Sequence, residues 1–77
     1  MRRVTFYAMQ VGDHWEVSSS QRGSAPERHP DRTSALEAAC HAARRMWEAE
    51  RIATAVAVSE DDGGWLQAAT FGDLLDF

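Results

Sequence analysis

The sequence predicts a two-layer α+β domain, ββαββ along the chain, with one amphipathic helix packed on a four-stranded, mainly antiparallel sheet. Three observations carry this expectation. Residues 4–11 and 14–19 flank a glycine turn, as do residues 52–59 and 65–71, so each pair reads as a hairpin. Between the hairpins, residues 34–50 repeat their apolar groups with the helical period. The 77 residues suffice for one domain, and the dinucleotide-binding doubly wound fold is excluded by size.

In the first strand Val4, Phe6 and Ala8 share one face, and Thr5, Tyr7, Met9 and Val11 share the other. Neither face is plainly polar, so both are expected to be partly covered. Gly12 and Asp13 accept the backbone angles of a tight reversal. After it, Trp15 and Val17 oppose His14, Glu16 and Ser18. Residues 20–31, with Gly23, Pro26 and Pro30 and no apolar period, read as a loop. That loop is longer than the usual ~4–6 residues, as functional or disordered loops tend to be.

Ser34 and Glu37 have the spacing of a capping box, which places the helix start at Ser34. Leu36, Ala39, Cys40, Ala43, Met46 and Trp47 then form the expected buried side, with Ala35, Ala38, Ala42 and Ala49 as an adjoining strip of small residues. In residues 52–59, Ile52, Thr54, Val56 and Val58 oppose Ala53, Ala55 and Ala57, and the alanine row offers a close seat for a helix or a second sheet. Asp61, Asp62, Gly63 and Gly64 make the second turn. Trp65, Gln67, Ala69 and Phe71 are expected on one face of the return strand. Parallel pairing between the two hairpins stays open.

These residues resemble a domain-of-unknown-function family of short bacterial and phage proteins. The matching positions are Gly12, Trp15, Ser34, Glu37, Ala38, Ala42, Asp62 and Gly63, which span most of the chain. The long 20–31 loop and the apolar, acidic tail depart from that family's pattern. The resemblance implies a fold and no activity.

Composition narrows the function. The formal net charge is −4 and every basic residue is arginine, which argues against a dedicated nucleic-acid binder. Residues 60–77 hold Glu60, Asp61, Asp62, Asp73 and Asp76 and no base, so the chain has an acidic end on a mildly basic body. A single cysteine, Cys40, permits neither an internal disulfide nor a cysteine-based zinc site, and a reducing cytosol is the expected home. No apolar run approaches the ~20 residues of a membrane span, and Met1, Arg2 and Arg3 lead into a strand rather than a secretory leader. Arginine without lysine, abundant alanine and no asparagine fit a GC-rich bacterial or phage genome.

Each chemical motif has a plainer reading that is preferred. Gly63 and Gly64 lack the further glycine and lysine of a phosphate loop. Asp61 and Asp62 lack the alternating ligands of a calcium loop. Glu37 and His41 stand one helical turn apart, as two metal ligands would, and are read as an exposed pair. Cys40 on the apolar side of the helix is read as a small buried hydrophobe. No catalytic residue, metal site or cofactor is expected, and an enzyme is the least favoured class.

The surplus of bulky apolar groups is the more informative feature. One helix roofs one face of a sheet, and Trp15, Trp47 and Trp65 crowd a very small core. The expected function is therefore that of a small non-enzymatic cytosolic protein acting by protein–protein contact, as a homodimer. Tyr7, Trp15, Trp65, Leu74, Leu75 and Phe77 are the candidate contact residues. For the last three, closing the edge of the core competes with docking and is preferred. The alternative is an accessory nucleic-acid-binding role for the arginine-bearing loop 20–32. Arg2, Arg3, Arg22, Arg28 and Arg32 would be its contacts, with Tyr7 and Trp15 as stacking surfaces.

Overall fold

In the computed structural model, which describes residues 3–21, 23 and 25–72, one helix lies on a five-stranded mixed sheet. The strands are β1 (Arg3–Val11), β2 (His14–Ser19), β3 (Glu27–His29), β4 (Ala53–Ser59) and β5 (Trp65–Phe71), and α1 spans Arg32–Glu50. Their spatial order is β3-β2-β1-β4-β5. All neighbours are antiparallel except β1 and β4, which run parallel at the centre.

The expected four-stranded, mainly antiparallel sheet is thus corrected by one short strand inside the predicted loop. Pro26 precedes β3 and Pro30 ends it, since proline has no amide to donate and holds His29 before it in extended form. β3 reverses the chain once more before α1 begins. With β2 antiparallel to β1 and β3 antiparallel to β2, the helix has to run back along the sheet, and β4 re-enters beside β1 in the same direction. Three residues therefore turn an antiparallel layout into a mixed one.

The helix also starts one turn before Ser34. Asp31 is the N-cap, extended at φ −151, and its carboxylate accepts the amide of Ser34 at 2.8 Å. Ser34 is therefore a residue of the first turn, and its amide is the one being capped. The helix ends at Arg51, a left-handed residue at φ 54 whose amide donates to the Trp47 carbonyl at 2.9 Å.

The buried line of α1 is Ala35, Ala39 and Ala43, each fully buried, which rotates the expected axis toward the small-residue strip. Leu36, Cys40 and Met46 flank that line, and Ala49 is exposed. Alanine along the contact lets the helix sit close to Val4, Phe6, Ala8, Val17, Val56 and Val58. Thr54 Oγ1 donates to the Ala43 carbonyl at 2.9 Å in this interior and fastens the helix to β4. The row Ala53, Ala55 and Ala57 faces away from the helix, because Thr54, Val56 and Val58 pair with Val4, Phe6 and Ala8 on the helix side.

A bulge in β5 corrects the last strand. Val56 pairs with Ala69 and Ala57 with Gln67, so Ala68 has no partner on β4. Trp65 and Gln67 consequently face away from the helix, while Ala69 and Phe71 pack toward the core.

Candidate interaction surface

The helix-free face of the sheet has two halves. Over β2 and β3 it is polar, with Glu16 paired across the strands to Arg28, and His14 Nε2 3.0 Å from Glu16 Oε2. Over β1, β4 and β5 it is mixed: Tyr7, Ala57 and Trp65 share it with Arg3, Thr5, Gln67 and Thr70, and its Ala53 and Ala55 are buried. Tyr7 pairs across β1–β4 with Ala57, and its ring meets Trp65 edge-on, with centroids 5.4 Å apart and planes at 69°. Trp65 is 51% exposed, and the next residue, Leu66, 49% exposed, projects on the opposite, helix side of the strand. Val11, at the end of β1, completes the exposed large apolar groups of the described residues.

Of the expected contact residues, the fold brings Tyr7 and Trp65 together. Trp15 stands on the opposite face, where it packs against the core. There it joins Arg32, Ser59, Glu60 and Asp61 around a cavity of about 260 Å³ at the ends of β1 and β4. Arg32 Nη2 lies 3.7 Å from Glu60 Oε2 in that cavity wall, and Ser59 Oγ accepts the Gln10 amide at 3.1 Å. Leu74, Leu75 and Phe77 lie outside the described residues, as do Arg2 and Arg22.

The remaining arginines of the alternative reading are spread out. Arg28 is on β3 opposite Glu16, and Arg32 is at the start of the helix. Arg3 stands six positions along β1 from Met9, the residue opposite Glu16, which is about 20 Å of strand.

The other motifs occupy ordinary structural places. The Asp62 carboxylate accepts the Gly64 amide at 2.9 Å, and the Glu60 carbonyl accepts the Gly63 amide at 3.0 Å, so this acidic stretch folds its own turn. Glu37 and His41 are exposed on the outer side of α1. Among the described residues, no group of three or more histidine, cysteine or acidic side chains gathers as metal ligands would. Burial pushes the Cys40 thiol up from its ordinary pKa, which keeps it a neutral thiol at physiological pH.

Two features of this surface escaped the sequence reading. Leu66 lies opposite Val58 on the helix side of β5, and its exposure follows from the place of β5 at the edge of the sheet. The isolation of β5 at the sheet edge depends on topology. Its signal in the sequence is the absence of any charged residue from Trp65 to Phe71. Among the described residues no helix is long and apolar enough to cross a membrane. No family model, curated protein or solved structure matches the chain, so its class is defined by architecture alone: an α+β domain with one helix over a mixed five-stranded sheet.

Proposed function

We propose that this is a small non-enzymatic protein of the cytosol that acts through protein–protein contact, with a second copy of itself as the partner. The observation that carries the proposal is the Tyr7–Trp65 pair on the sheet face the helix leaves uncovered, with Trp65 51% exposed. Tryptophan and tyrosine are costly to leave in water and are enriched where proteins meet. Among the described residues the single helix lies on the other face, which leaves the Tyr7–Trp65 pair on this one for a second chain to cover.

A bacterial or phage origin, and kinship with the short-protein family that the motifs resemble, belong to the same proposal. Gly12 and Gly63 are left-handed turn residues, and Ala38 and Ala42 pack on the core. These roles are compatible with such kinship and assign no activity. The nucleic-acid alternative has less support, because Arg28 lies across from Glu16 and Arg32 beside Glu60.

Sedimentation velocity from about 1 µM to about 1 mM tests the proposal. The expected result is a shift from 8.6 kDa toward twice that mass. Because each copy carries −4, added salt is expected to favour the larger species. A single 8.6 kDa species over the whole range overturns the homodimer.

A further inference from the structure

We infer that the two copies join edge to edge along β5, as antiparallel strands related by a two-fold axis, forming one sheet of twice the width. This inference rests on the self-association proposed above and names its seam.

The two edges of the sheet differ in the features that govern strand pairing. β3 is three residues long, is charged or titratable throughout (Glu27, Arg28 and His29) and is bracketed by Pro26 and Pro30. Short length, charge and proline are the devices by which edge strands avoid other strands. β5 is seven residues long and contains neither a charge nor a proline. Its first four residues, Trp65 to Ala68, are exposed, and large side chains project on both sides of the strand at Trp65 and Leu66. Among the described residues no strand lies beside the outer edge of β5, and a row of amides and carbonyls between two exposed apolar groups is a template for a further strand.

The occupant follows from the same contrast. Folded proteins guard their edges, so the one unguarded edge always present with β5 is the β5 of another copy. Symmetry sets the direction: a two-fold axis normal to the sheet makes the two paired edge strands antiparallel. The bulge at Ala68 is the single feature of β5 that opposes pairing, by breaking the regular spacing of its outer groups. With it, the seam falls at the small end of specific interfaces, under about 1,200 Å² in total, and the dimer is expected to be a micromolar one.

Three variants, compared by sedimentation and by thermal melting, test the seam. Ala68→Pro takes an amide out of the edge strand at the bulge, where Ala68 has no paired residue on β4 and where proline is accepted. Gln67→Lys places a guarding charge on the edge. Met9→Lys charges the helix-free face at the central strand, away from the edge. The expected result is that Ala68→Pro and Gln67→Lys weaken dimerisation at least about tenfold while remaining folded, and Met9→Lys does not. If Met9→Lys abolishes the dimer and Ala68→Pro leaves it intact, the copies stack face to face, and the seam is wrong although self-association stands. A wild-type chain that is monomeric throughout overturns both. Should Ala68→Pro fail to melt cooperatively, Gln67→Lys alone decides: an unchanged dimer in that folded variant overturns the seam.

Discussion

The two faces of the sheet divide the molecule's tasks. On the covered face, Ala35, Ala39 and Ala43 press the helix against Val4, Phe6, Val56 and Val58, and the interior is closed with side chains of modest size. On the uncovered face the larger rings of a half-buried Tyr7 and a half-exposed Trp65 meet edge-on. The covered face shows that a chain this short can complete a core by spending alanine where helix and sheet approach. Tyr7 and Trp65 on the other face stand outside that core. Stability should therefore respond to substitutions on one face, and association to substitutions on the other.

Phe6→Ala should have the largest effect. It hollows the core beneath the helix and is expected to cost about 3–5 kcal/mol, close to the whole stability of a domain this size, so the melting transition should be lost or broadened beyond analysis. Gly72→Ala should come next. Gly72 lies at φ 73, and a Cβ there would run into the Trp47 ring, which also carries Arg51 over its face at 5.1 Å. The substitution is expected to cost about 2–4 kcal/mol in denaturant unfolding. Thr54→Val removes the bond to the Ala43 carbonyl at nearly constant volume and should cost about 1 kcal/mol, lowering Tm by roughly 4–8 °C. A melting temperature unmoved by both Gly72→Ala and Thr54→Val would break the assignment of stability to the helix side.

Much of this division was legible in the sequence. The strands at residues 14–19 and 65–71 are bounded by turns whose glycines take left-handed angles, at Gly12 and Gly63, and such punctuation is local. The segregation of Tyr7 from Phe6 and Ala8 also follows from simple alternation. Three features were hidden because they depend on relations between segments. β3 has no apolar pattern, since only its pairing to β2 makes it a strand, and it nevertheless sets the direction of β4. Asp31 and Ser34 are both good caps, and β3 ending at Pro30 decides between them by delivering the chain one turn early. The Ala68 bulge leaves no trace in the run Gln67-Ala68-Ala69-Thr70, yet it turns Phe71 from the open face to the core. The candidate surface was legible to the same extent: Tyr7 and Trp65 were visible as bulk, whereas their contact and the separation of Trp15 from them came from the strand order.

Amide hydrogen exchange on the unaltered chain, at about 1 µM and about 1 mM, tests the central claim most directly. Exchange in β5 is expected to slow at the higher concentration, while exchange in β3 stays the same at both. Identical exchange throughout the molecule at the two concentrations would contradict the claim that the uncovered side of this sheet exists to meet a second copy.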